Sequence, residues 1–247
     1  MMGSLPEEVE RGLSLIASDT TNGAAELHRR ALALASRLPP EFLPLYGEEL
    51  LRGRRDMAPL VNLALALSRS KNPAEELTRL VSRAERAAEV IAAKAREVIA
   101  PGRRLVTISR SSTVLAVLTA LEPGLVLALE SLPGGEGRRL VEELGESGVP
   151  AELVPDEDLV TAVERAELGL CGADAVTERL FVNKVGTRAL AERLRERGGP
   201  LFVAADRTKF MPGGYYTPPA PGGLFEEIPL PLVERVLDDD DDWHGPR

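Results

Sequence analysis

The chain has 247 residues, with 44% hydrophobic and 28% charged positions, the balance of an ordinary globular protein of one or two domains. A net charge of −9 and a pI near 5.0 argue against general binding to a nucleic-acid backbone, which depends on neutralising phosphates. No apolar run approaches the roughly 18–20 residues of a membrane span, and one cysteine (Cys171) with two histidines (His28, His244) excludes an internal disulfide and a Cys- or His-rich metal site.

The first residues, MMGSLPEEVERG, are acidic where a signal peptide is basic and then apolar, so a cytoplasmic location is expected. Pro6-Glu7-Glu8 starts a helix, with proline and acids in its first turn. Ser18–Gly23 is a loop, and Ala24–Ser36 is a helix on which Leu27, Ala31 and Leu34 recur at helical spacing. Pro39, Pro40 and Pro44 break the chain. Met57–Ser68 is an apolar helix. Ser70-Lys71-Asn72-Pro73 then caps a long helix over Ala74–Ala100, whose Leu77, Val81, Ala84, Ala88, Ile91 and Ala95 form one stripe. Residues 1–100 are thus expected to be a helical N-terminal domain.

Periodicity changes at Pro101-Gly102. Strands are expected at Arg104–Ile108, Leu125–Leu129, Val149–Val154, Leu168–Cys171 and Leu201–Ala205. Helices over Val114–Leu121, Arg138–Ser147, Asp158–Arg165 and Thr187–Arg197 alternate with them, and Glu130–Gly137 is a loop. Strand–helix alternation at this interval gives parallel βαβ units, hence an α/β fold with a Rossmann-like doubly wound sheet over residues 101–237. Residues 211–223 are rich in proline and glycine. Residues 238–247 open with Asp238–Asp242, an acidic run expected to be a disordered tail.

In such sheets ligands sit outside the carboxyl ends of the strands, and four polar clusters fall there. The first is Thr107-Ile108-Ser109-Arg110-Ser111-Ser112-Thr113, where hydroxyls, a helix N-terminus and a guanidinium fork suit phosphate. It has no Gly-rich nucleotide pattern. The second is Gly172-Ala173-Asp174, with Asp174 placed as a general base or hydroxyl ligand. The third is Asn183-Lys184-Val185-Gly186-Thr187, and the fourth ends in Lys209. Only four lysines occur in the chain, and two of them, Lys184 and Lys209, lie in these clusters. A compact ammonium at each is one reading and chance survival is the other. Each cluster also reads as an ordinary turn or N-cap, and Cys171 as a small buried residue. Together they point to a phosphorylated small molecule, with no metal or cofactor required for a proton shift run on side chains.

The motifs GADAV at Gly172 and NKVGT at Asn183, followed by the FVAAD…TKF strand, resemble the translation initiation factor 2B alpha/beta/delta-subunit family. That superfamily also holds methylthioribose-1-phosphate isomerase and ribose-1,5-bisphosphate isomerase. SRSSTV at Ser109, the ES-P…EGRRL stretch at Glu130 and SDTTNGAAELHRRAL at Ser18 extend the resemblance from about Ser18 to about Leu232. It implies a helical N-terminal domain, a Rossmann-like C-terminal domain and a homodimer formed through the latter. It also implies a pocket for a sugar or nucleotide phosphate, in an aldose–ketose isomerase or in a non-catalytic regulatory subunit. The isomerases pair a cysteine after the first strand with the GAD aspartate as acid and base. Asp174 matches that aspartate, while the cysteine position falls on Ser109, or alternatively on Arg110. Leu132 stands where an arginine is common in an S/T-R-P triplet. Asn183, Lys184, Gly186, Thr187 and Lys209 all fit the pattern.

Overall fold

The computed structural model describes residues 4–19 and 23–240. Thr20, Thr21 and Asn22 of the expected loop, and residues 241–247 of the expected tail, lie outside them. The chain forms two compact units, Met1–Arg86 with Thr208–Thr217, and Ala87–Arg207 with Pro218–Arg247. The division falls inside a helix, not at Pro101-Gly102. That helix, α5 (Pro73–Val98), runs for 26 residues. Its one proline sits at the first position and it has no glycine, so nothing breaks it. Its apolar residues change partners along its length. Leu77 and Leu80 join the core of the first unit, and Ile91, Ala92 and Ala95 join that of the second.

The first unit contains α1 (Glu7–Ser18), α2 (Ala24–Ala35), α3 (Leu43–Gly53) and α4 (Ala58–Arg69). Helix α3 lies where prolines were expected to break the chain. Pro40 opens a 3-10 turn and Pro44 sits in the first turn of α3, where a missing N–H removes no helical bond. Tyr46 of α3 is fully buried and donates its hydroxyl to the Ala31 carbonyl at 2.8 Å. Burial pushes its phenol well above the ordinary range. The segment 208–217 is held in this unit by Asn62, whose Nδ2 donates to the carbonyls of Thr208 and Phe210 at 2.6 and 2.8 Å. Lys209, 5% exposed, therefore falls in the first unit.

The second unit is built on a parallel sheet of β1 (Arg104–Ile108), β2 (Leu125–Leu129), β3 (Ala151–Val154), β4 (Leu168–Cys171), β7 (Leu201–Ala204) and β9 (Arg235–Leu237). Their order across the sheet is β3-β2-β1-β4-β7-β9. Taken in chain succession, this is the doubly wound Rossmann arrangement. Alternate residues face one side. Leu105, Val126, Ala128, Leu168, Leu170, Phe202 and Ala204 pack with the end of α5, α6 (Ser112–Leu121) and α7 (Glu136–Glu146). Helices α8 (Leu159–Arg165) and α9 (Thr187–Glu196) contact β1, β2, β4 and β7. Among the described residues no helix is long and apolar enough to cross a membrane.

A small antiparallel sheet of β5 (Ala175–Val176), β6 (Leu180–Lys184) and β8 (Phe225–Pro229) was not foreseen. Its strands are short and β5 has two residues, too few for an alternation to show. This sheet carries Asn183 and Lys184.

The expected disordered tail is corrected at its start. Asp238 is 2% exposed, with Oδ1 3.7 Å from Lys94 Nζ and Oδ2 3.6 Å from Arg207 Nη1. Lys94 donates to the Asp240 carbonyl at 2.7 Å, and the Arg207 N–H donates to Asp239 Oδ1 at 2.7 Å. Residues 238–240 are thus docked beyond β9 by cations distant in sequence, which an acidic run read by itself does not reveal. Desolvation raises the Asp238 carboxyl above its ordinary value despite these cations.

Candidate functional site

Strands β1 and β4 are neighbours, with Leu105 beside Leu168 and Val106 beside Gly169. After β1 the chain crosses towards β2, and after β4 it crosses towards β7. This is the point where strand order reverses, and the crevice outside it is where doubly wound sheets take ligands. The loops that leave it are Ser109–Ser111 and Gly172–Asp174. They touch, because a Cβ on Gly172 would lie 2.9 Å from Ser111 Cβ and 3.0 Å from its Oγ. Gly186 has φ +98° and precedes α9. That conformation suits glycine, and it lays the start of α9 against Ile108, whose Cδ1 is 3.0 Å from where a Cβ would stand.

Ser109 follows β1 with φ +64°, and Ser131 follows β2 with φ +66°. Both are left-handed without being glycine, a conformation that persists where the surroundings enforce it. Here the Ser109 N–H donates to Ser131 Oγ at 2.7 Å. The Ser131 N–H and Leu132 N–H donate to the two oxygens of Asp156 at 2.8 and 2.7 Å. One carboxylate beyond β3 thereby fixes the turn after β2, and through Ser131 the turn after β1.

Arg110 is placed differently from its expected role. Its Nε and Nη2 donate to the two carboxylate oxygens of Glu143 on α7, at 2.9 and 3.0 Å. The guanidinium fork is committed to that bidentate pair and pins the β1 loop to α7. Desolvation raises the Glu143 carboxyl, but Arg110 and then Arg139 outweigh it and hold the group below the ordinary range. Ser111 caps α6, its Oγ accepting the Val114 N–H at 3.4 Å. Ser112 is the exposed first residue of α6.

The Asp174 N–H donates to the Val182 carbonyl at 2.7 Å, which ties it to β6 just ahead of the pairing of Ala175 with Val182. Its side chain is part-exposed. Asn183 Nδ2 donates to Thr187 Oγ1 at 3.0 Å, and Thr187 Oγ1 donates to the Lys184 carbonyl at 2.6 Å. Thr187 is fully buried and locks the turn between β6 and α9. Lys184 is 2% exposed, and its Nζ donates to Glu136 Oε1 at 2.8 Å. Glu136 is the first residue of α7, so its carboxylate sits where the helix dipole favours an anion. It lies back over Gly134, a Cβ on which would be 2.5 Å from Oε1. Its other oxygen, Oε2, is buried with no hydrogen-bond partner.

Of the residues expected at the site, the second unit holds Ser109, Arg110, Ser111, Ser112, Asp174, Asn183, Lys184, Gly186 and Thr187 at the carboxyl side of its sheet. Lys209 belongs to the first unit. Cys171, at the end of β4, is fully buried, and burial pushes its thiol up to about 12, so it carries no thiolate near neutral pH. Among the described residues no group of three or more His, Cys, Asp and Glu is placed to hold a metal. Glu136, Ser131, Asp156 and Glu143 were not singled out from the sequence. An acid opening a helix after Gly134-Gly135 was the available sign for Glu136. Ser131 lies in the ES-P stretch that carries the resemblance, and nothing local marks Asp156 or Glu143.

The profile of the Initiation factor 2 subunit family matches residues 62–214. A translation initiation factor eIF-2B subunit 2-like protein of Pyrococcus horikoshii is 33% identical over 227 residues, covering 84% of this chain and 81% of the relative. A ribose 1,5-bisphosphate isomerase of Haloferax volcanii is 33% identical over 144 residues, covering 56% of this chain and 43% of the relative. The crystal structure of a Pyrococcus horikoshii OT3 translation initiation factor eIF-2B superposes with a TM-score of 0.78 at 27% identity, over 94% of this chain and 95% of that one.

Proposed function

Since this chain belongs to the Initiation factor 2 subunit family, we propose that its second unit binds a phosphorylated sugar or nucleotide at the carboxyl ends of β1 and β4, without turning it over. One observation carries the reading. Lys184 is 2% exposed, and its counter-charge is a carboxylate, Glu136, whose side chain is 36% exposed and starts a helix. A buried ammonium beside a helix N-terminus is a setting suited to a phosphate. Asp174, part-exposed and tied through its N–H to Val182 of β6, is the acceptor for ligand hydroxyls.

The sugar-phosphate isomerase activity in the name of the Haloferax relative is the alternative. It requires an acid opposite Asp174. Ser109 stands at the strand end where the resemblance puts a cysteine, and a hydroxyl is a far weaker acid than a thiol. Arg110, the other residue at that position, is tied to Glu143. Cys171 is sealed in the sheet. These placements favour a ligand-sensing or regulatory subunit over an isomerase.

Proton NMR separates the two readings. The protein is incubated at high concentration with ribose 1,5-bisphosphate, ribose 1-phosphate and methylthioribose 1-phosphate. Ketose formation from any of them overturns the binding-only reading. In parallel, thermal-shift measurements with these compounds and with nucleoside monophosphates are expected to show stabilisation by at least one.

A further inference from the structure

The carboxylate of Glu136 occupies the position a ligand anion would take. It is 2.8 Å from the Lys184 ammonium, and it opens α7, where the dipole and unpaired N–H groups favour negative charge. It is also an imperfect occupant. Oε2 is buried without a hydrogen-bond partner, and a buried acceptor left unpaired is costly. The side chain is 36% exposed, so it has a path to water, whereas Lys184 at 2% has none. In an exchange of partners the lysine stays and the glutamate leaves.

We propose that Glu136 is a resident competitor for Lys184, an internal anion that a ligand's phosphate must displace in order to bind. This deepens the phosphate-binding reading and rests on it. The pair Lys184–Glu136 is neutral as it stands, so the site offers no free cation to weak anions. A phosphate monoester, which carries close to two negative charges and three acceptor oxygens at neutral pH, replaces a single carboxylate with a better partner. Carboxylates and neutral polyols do not. Glu136 thus sets a threshold of ligand charge and holds the affinity below what Lys184 alone would give.

Glu136→Gln tests this. The amide oxygen still accepts from Lys184, so the fold is kept, while the competing charge is removed. Ribose 1,5-bisphosphate and inorganic phosphate are titrated by calorimetry into wild type, Glu136→Gln and a charge control, Glu146→Gln, at the far end of the same helix. The expected result is roughly tenfold tighter binding to Glu136→Gln, equivalent to about 1.4 kcal/mol, with Glu146→Gln close to wild type. The unliganded Glu136→Gln protein melts slightly lower, because a charge-assisted bond has become a neutral one. A merely structural role for Glu136 predicts the lower melting point without the tighter binding. Equal affinity in wild type and Glu136→Gln overturns the inference, and weaker binding to Glu136→Gln overturns it by making Glu136 a ligand contact. If no variant, wild type included, binds either probe or any sugar phosphate in the thermal-shift series, the phosphate-binding reading itself fails.

Discussion

Lys184 Nζ donates to Glu136 Oε1 at 2.8 Å across 48 positions of sequence. It joins the end of β6 in the small antiparallel sheet to the start of α7 on the parallel one. The pair places the second unit's buried lysine beside the N-terminus of α7, and the ligand binding proposed above turns on what occupies that lysine.

Removing the ammonium tests its role. Lys184→Ala is expected to lose roughly 30- to 100-fold in affinity for any sugar phosphate that stabilises wild type, about the 2–3 kcal/mol of a lost charged hydrogen bond. The unliganded variant should still fold, since Glu136 can turn to water. Matched thermal-shift titrations of the two proteins measure this. A Lys184→Ala protein that keeps the full ligand shift counts against the assigned pocket.

Gly172→Ala probes the contact between the two loops at the switch point. The added Cβ would sit 2.9 Å from Ser111 Cβ, so the β1 loop must move. A cost of about 1–3 kcal/mol is expected from overpacking, together with weaker ligand binding. Chemical denaturation and titration of the same sample check both, and an unchanged midpoint with unchanged affinity contradicts the packing described.

The Arg110–Glu143 pair predicts a pH dependence. Glu143 has a lowered folded-state value, because desolvation raises it but Arg110 and Arg139 lower it by more. A carboxylate depressed on folding binds fewer protons in the native state than in the unfolded one. Its stabilisation is therefore present above the unfolded value near about 4.3 and is lost as pH falls through the lower folded value. Arg110→Ala should narrow the stability gap between pH 7 and pH 3 relative to wild type. Denaturation midpoints across that range measure it. An identical slope in the variant rejects the pair as a contributor.

Much of the second unit was legible because its strands are continuous apolar runs that alternate with helices, the pattern of strands buried on both faces. Leu105, Leu127 and Leu170 lie where that pattern puts them, fully buried. The site was legible in residue type more than in role. Lys184 stood out because lysine is rare in this chain, while its burial shows only in the structure. Arg110 stood out equally, yet its fork is taken by Glu143, 33 positions away, a pairing that no local pattern encodes. The same reason hides Asp238 behind Lys94 and Arg207. A helix was missed at α3 because prolines were read as breaks, while those at 40 and 44 sit in first turns where they are tolerated.

Asp238→Ala tests the docking of residues 238–240. With Asp238 removed, Lys94 and Arg207 lose a buried counter-charge. A loss of about 1–2 kcal/mol is expected, which lowers Tm by roughly 2–8 °C. Scanning calorimetry at neutral pH measures it. A Tm equal to wild type would return Asp238 to the status of a solvated tail residue.

Cys171 supplies a test of the binding-only reading. Its thiol is fully buried and pushed up to about 12, so a thiol reagent should label it at neutral pH only after denaturation. Cys171→Ala should leave ligand affinity unchanged. Rapid labelling of the native protein, blocked by a sugar phosphate, would place the thiol in the pocket and reopen catalysis.

The most direct test is a crystal structure of the protein soaked with ribose 1,5-bisphosphate, read at one atom. The account predicts a phosphate oxygen within hydrogen-bond distance of Lys184 Nζ, with the Glu136 carboxylate turned away from it. A phosphate bound elsewhere, with Lys184 still 2.8 Å from Glu136 Oε1, would contradict it.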